Sequence, residues 1–87
     1  MAAALRALTG RDVLAALRRF GFEVVSIRGS HAKLRRTLRS GARQVLTVPF
    51  HSDLSPGTLR AIYRQACRFV DEAELRRAFF KHEGPRG

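Results

Sequence analysis

Glycines at 21, 29 and 41 and a proline at 49 cut the middle of this chain into short segments joined by tight corners. Phe22 to Ile27 is rich in β-branched and aromatic side chains and is read as a strand. His31 to Leu38 is read as a second strand and Gln44 to Val48 as a third. Only Arg28-Gly29-Ser30 separates the first two, and only a corner around Arg39-Ser40-Gly41 separates the next two. Parallel neighbours need a crossover of about a dozen residues, so connections this short leave an antiparallel meander. Pro49 carries no amide hydrogen for a ladder and is expected to end the third strand.

Helices flank this meander. Thr9 has the character of an N-cap, with Asp12 three residues on to complete a capping box. Val13, Leu14, Leu17 and Phe20 then recur at helical spacing, while Arg11, Arg18 and Arg19 fall off that stripe. Gly21 supplies the left-handed residue that closes a helix over residues 10–20. Ser55-Pro56 is an N-cap followed by proline at the first helical position. Leu59, Ile62, Tyr63, Ala66 and Val70 form the stripe of the second helix. Asp71 with Glu74 marks a third start, and Leu75, Ala78 and Phe79 line a short last helix. The predicted order is α-β-β-β-α with one helix appended. This is an α+β arrangement of two layers, with a three-stranded antiparallel sheet covered by helices on one face. At 87 residues the chain is read as one domain, with a core of about 9–82. Residues 1–8 and 84–87 carry little pattern and are expected to be loose.

Charge is distributed more tellingly than its total. The chain carries a formal +10, and from Val24 to Ser52 it has no acidic residue, while Arg28, Lys33, Arg35, Arg36, Arg39 and Arg43 all fall there. A one-signed field over the strand region attracts polyanions and speeds their arrival. Cys67 is the only cysteine, which excludes an intrachain disulfide and a cysteine metal cluster and suits a reducing cytoplasm. The Met1–Leu5 run is too short for a signal-peptide core, and no apolar stretch approaches the ~20 residues of a membrane span.

Alternation along the second strand puts His31, Lys33 and Arg35 on one face and Ala32 and Leu34 on the other. Ala32 and Leu34 are expected beneath the helices, which turns His31, Lys33 and Arg35 outward. That outward face holds a group that moves protons near neutral pH and two that hold phosphate. RNA supplies its own nucleophile, the 2′-hydroxyl, so a protein that cuts it must move protons and stabilise phosphorane charge. Read from the residues alone, His31 is either such a group or an exposed strand histidine with no task. No cluster of Asp or Glu in the strand region offers to hold a metal ion.

Two segments stand in a characteristic order. The first is Gly21-Phe22-Glu23-Val24-Val25 leading to Arg28-Gly29-Ser30-His31. The second is Thr47-Val48-Pro49-Phe50-His51-Ser52 leading to Leu54-Ser55-Pro56-Gly57-Thr58-Leu59-Arg60-Ala61-Ile62. Together, over about residues 9–70, they resemble the HicA toxins, partners of HicB antitoxins. The resemblance implies a double-stranded-RNA-binding-like fold and an endoribonuclease acting on mRNA, and the 2′-hydroxyl route is expected to need no metal and no cofactor. It implies His31 as the catalytic residue, Gly29 as the turn glycine, and a HicB-like antitoxin that covers the basic face. Where many members have glycine after the second helix this chain has Cys67, so that helix is expected to run on to Phe69.

The remaining candidates divide by position. Arg28, Gly29, Ser30, Lys33, Arg35, Arg36 and Arg43 are the expected RNA contacts, with Ser30 read as the corner residue that fixes His31. His51 precedes the second helix and is either a second acid–base group, a partner of Asp53 or a cap of the Ser55 turn. Arg60, Arg64 and Arg68 line one side of the second helix as a solvated face, Tyr63 and Phe20 are core, and His82 is surface. A non-catalytic RNA-binding module, a degenerate toxin that only binds its antitoxin, and a domain recognising an acidic protein are the alternative functions.

Overall fold

Thr9 and Asp12 cap one another at the start of the first helix: the Thr9 amide donates to the Asp12 carboxylate at 3.0 Å, and the Asp12 amide donates to Thr9 Oγ1 at 3.1 Å. This computed structural model describes residues 4–81. From that cap α1 spans Gly10–Arg19 and buries Val13, Leu14, Ala16 and Leu17. Phe20 is its C-cap, and Gly21 turns the chain at φ +95°, a conformation that costs glycine nothing. β1 (Glu23–Arg28), β2 (His31–Thr37) and β3 (Arg43–Pro49) follow as an antiparallel sheet with β2 in the centre. α2 (Pro56–Ala66) starts from Ser55, whose Oγ accepts from the Thr58 amide at 3.1 Å. α3 (Glu72–Phe79) starts from Asp71, which accepts from the Glu74 amide.

The element order and the antiparallel meander agree with the sequence reading, and the architecture is the α+β, double-stranded-RNA-binding-like α-β-β-β-α arrangement with α3 added. Ala32, Leu34, Leu46 and Val48 are buried beneath the helices with Phe22, Leu59, Ile62, Leu75 and Phe79. Neighbouring strand residues point to opposite sides, so this register leaves the other face of the sheet uncovered.

Three boundaries depart from expectation. β3 includes Pro49, which pairs with His31 as the last residue of its strand; at a strand end the missing amide breaks no interior ladder. α2 ends at Ala66 rather than running on to Phe69. Cys67 is its C-cap, and the Arg68 and Phe69 amides bond back to the carbonyls of Gln65 and Ala66, tightening the exit into a turn. Before Thr9, the expectation of a patternless lead-in meets a held segment. Leu5 bridges Phe80, the Arg6 amide donates to the Phe79 carbonyl at 2.9 Å, and Leu8 joins the core. His82 and residues 84–87 lie outside the described residues.

The two sheet edges are finished differently. On β3 the Gln65 side chain from α2 mimics a neighbouring strand: its Oε1 accepts from the Thr47 amide at 3.0 Å and its Nε2 donates to the Thr47 carbonyl at 3.3 Å. On β1 the register shifts between Val24 and Ser26, leaving a bulge at Val25 that twists the edge.

Candidate nucleic-acid interface

The β1–β2 corner aims the central histidine. Gly29 has φ +56° and, among the described residues, no non-glycine residue has positive φ, which fits a two-residue hairpin with glycine at its first position. A Cβ on Gly29 would meet nothing within 4 Å, so the demand for glycine there is conformational, not steric. The corner pairs Arg28 with His31 across the two strands. On the other side His31 pairs with Pro49, and the Phe50 amide donates to the Ser30 carbonyl, extending the contact past the ladder.

His31, Lys33 and Arg35 are exposed, while Ala32 and Leu34 between them are fully buried. Opposed residues of an antiparallel pair share a face. The open face therefore carries Arg28 opposite His31, Ser26 and Thr47 on either side of Lys33, Glu23 and Val45 on either side of Arg35, and Arg43 opposite Thr37. From His31 to Thr37 the strand covers roughly 20 Å, too far for one phosphate and long enough for a run of them. Among the described residues, no side-chain hydrogen bond or ion pair engages Arg28, His31, Lys33, Arg35 or Arg43, and the ion pair found joins Arg76 to Glu72 on α3.

Arg36 is corrected out of the predicted contact set. It sits on the helix side of β2, opposite Gln44. Its Nε and Nη2 donate to Gln44 Oε1 at 2.9 and 2.6 Å, Nη1 donates to the Phe20 carbonyl at 2.9 Å, and Nη2 donates to the Phe69 carbonyl at 2.8 Å. The guanidinium also lies 4.8 Å from the centre of the Phe22 ring. Phe20 and Phe69 follow the C-terminal ends of α1 and α2, where unsatisfied carbonyls favour a cation. This arginine ties both helices to the sheet and commits four of its five N–H donors to doing so.

His51 is exposed in the β3–α2 loop, at the His31 end of the sheet. Among the described residues it makes no side-chain bond to Asp53, and Ser55 supplies its own cap, so neither structural role expected for its imidazole is realised. Its backbone is engaged: the Gly10 amide donates to the His51 carbonyl at 2.6 Å. Gly10 escaped the sequence reading. A Cβ there would lie 2.7 Å from the His51 oxygen and 2.8 Å from its nitrogen, so α1 reaches this loop only through a glycine. The signal available was a glycine in a first helical turn, where better helix formers are ordinarily found. Arg60 and Arg64 are exposed along α2 as expected, Arg68 is exposed in the turn just past its end, and Tyr63 is half-buried against Phe79 and Phe80. Burial pushes the Cys67 thiol up, away from the thiolate a nucleophile requires.

A family profile described as "HicA toxin of bacterial toxin-antitoxin" matches residues 10–66, from the start of α1 to the end of α2. No curated protein and no solved structure matches the chain. The matched span is well over half of the 87 residues, and the chain belongs to the HicA toxin family. It is the toxin member of a toxin–antitoxin system, a context that includes an antitoxin partner. Among the described residues no helix is long and apolar enough to cross a membrane.

Proposed function

We propose that this HicA-family toxin is an endoribonuclease that cuts mRNA in the cytoplasm, with His31 transferring protons on the open face of the sheet. The observation that carries the reading is an exposed imidazole between Arg28 across the hairpin and Lys33 and Arg35 along its own strand, with no internal partner competing for it among the described residues. In the reaction the RNA 2′-oxygen attacks the adjacent phosphorus and the 5′-oxygen leaves. A proton departs from the nucleophile and another arrives at the leaving group, and His31 serves one of these transfers. Lys33 and Arg35 hold the phosphate and offset charge on the phosphorane. Arg28 and Arg43 extend the grip along the strand, and Gly29 and Ser30 set the corner that presents His31. His51, at the same end of the sheet, is the candidate for the opposite proton transfer. A HicB-like antitoxin with an acidic surface would silence the toxin by covering this same basic face.

The test is cleavage of single-stranded RNA by purified protein in the presence of EDTA. His31→Ala is expected to lower the rate roughly 100- to 10,000-fold, the usual worth of a positioned acid or base. The variant should retain its fold, since the residue is exposed. A His31→Ala protein that cuts at the parental rate overturns the assignment. Parental protein that binds RNA and never cuts it returns the sheet to the role of a binding module.

A further inference from the structure

A concavity lies at the His31 end of the sheet, between the first turn of α1 and the β3–α2 loop. It encloses about 340 Å³ and is lined by Thr9, Arg11, Phe50, His51 and Ser52, a volume within the range of small-ligand sites, roughly 300–1,000 Å³. Its walls are held together at one point, the contact of Gly10 with the backbone of Phe50 and His51. They are tied to the open face at another, where the Phe50 amide meets the Ser30 carbonyl, one residue before His31. Position in the fold therefore couples this cleft to the face on which His31 stands.

The lining has the chemistry of a nucleotide subsite. Arg11 is exposed, and its side chain makes no hydrogen bond or ion pair among the described residues. The neighbouring Asp12 carboxylate is turned to the Thr9 amide in the capping box, which holds its pKa below the usual carboxylate value. Phe50 is half-buried: it lines the cleft and packs against the core. An aromatic ring beside a free guanidinium offers a base a surface to stack on and its phosphate a bidentate donor.

We propose that this cleft receives the nucleotide flanking the scissile bond of single-stranded RNA, with the base against Phe50 and its phosphate on Arg11. His51, which lines the cleft, then stands beside that nucleotide. The inference rests on the nuclease reading and adds a specificity pocket to it, separate from the phosphate track along β2.

Binding is measured in the His31→Ala background, so that no result depends on cleavage, by fluorescence anisotropy with a fluorescein-labelled oligouridylate and its oligoadenylate counterpart. Loss of a charge-assisted contact predicts that Arg11→Gln weakens binding roughly tenfold or more. Arg60→Gln removes the same charge from the exposed side of α2 and is expected to change binding less than threefold, the uniform effect of net charge. Phe50→Leu keeps an apolar side chain against the core and removes the stacking surface. It is expected to narrow the difference between the two oligonucleotides, with circular dichroism confirming the fold. Equal losses for Arg11→Gln and Arg60→Gln, or unchanged selectivity in a folded Phe50→Leu protein, overturn the cleft. If His31→Ala abolishes cleavage while both cleft variants bind like their parent, the nuclease reading stands and the subsite alone is lost.

Discussion

Arg35 and Arg36 are neighbours on one strand, identical in chemistry and opposite in use. Arg35 projects from the open face, and no partner engages its guanidinium among the described residues. Arg36 projects beneath the helices and donates to Gln44, to the Phe20 carbonyl and to the Phe69 carbonyl, with the Phe22 ring beside it. Charge was the reason to group them, and charge does not distinguish them. The pleat does: one residue of register decides whether a cation is a ligand grip or a brace between helices. The central strand thus faces two solvents, water and its counterions on one side and a nearly dry layer of helix ends on the other.

The comparison breaks most visibly at Arg36. Arg36→Ala strands two carbonyls at helix ends and the Gln44 amide oxygen together. The expected cost is roughly 2–3 kcal/mol, the scale of hydrogen bonds to a charged group. In a domain of this size that lowers the melting temperature by roughly 10–20 °C. Arg35→Ala should stay within about 0.5 kcal/mol of the parent, as exposed substitutions do. Thermal unfolding of the two variants side by side decides it, and equal melting temperatures would erase the distinction drawn between the faces.

Binding should reverse the order. Arg35→Ala is expected to weaken single-stranded RNA binding and to reduce the slope of log affinity against log salt by about 0.7, the release of one counterion from a single strand. A conservative probe of the other face is Arg36→Lys, which keeps the charge and loses the planar fork. It should melt low and bind RNA with the parental salt slope. A shallower slope for Arg36→Lys would mean that the half-buried arginine reaches RNA after all.

What was legible in the chain was local. The Thr9–Asp12 box, the Gly21 exit, the Gly29 corner and the Ser55-Pro56 start each lie within a few residues of the backbone they control, and each is found where the pattern placed it. The outward turn of His31, Lys33 and Arg35 was legible too, because burial of Ala32 and Leu34 fixes the register. What escaped depends on distant partners. Nothing near Arg36 announces the carbonyls of Phe20 and Phe69. Nothing near Leu5 announces Phe80, and nothing near Gly10 announces the backbone of His51. Alternation puts Arg36 with Ala32 and Leu34 on the helix side, while its charge alone argues for the open face.

The smallest effect sharpens the helix side of the comparison through its own probe. The chain has one tyrosine, Tyr63, so tyrosinate absorbance reports a single site. Its hydroxyl donates to Glu72 Oε2 at 3.1 Å, and burial first, then that hydrogen bond, pushes its pKa up to about 12. A raised pKa in the folded state means the contribution is fully present below the ordinary value of 10.0 and is lost as pH rises toward about 12. Between those limits the unfolded chain releases the phenolic proton and the folded chain keeps it, so stability falls with rising pH. Tyr63→Phe removes that group, and its alkaline stability profile should be flatter than the parent's over the same window. Cys67, also raised by burial, is lowered by its hydrogen bond to Tyr63, so both proteins carry Cys67→Ala to take the thiol out of the comparison. A parental tyrosinate titration centred at the ordinary value would show that Tyr63 stands in water, and that the layer between α2 and α3 is open to solvent as the other face of the sheet is.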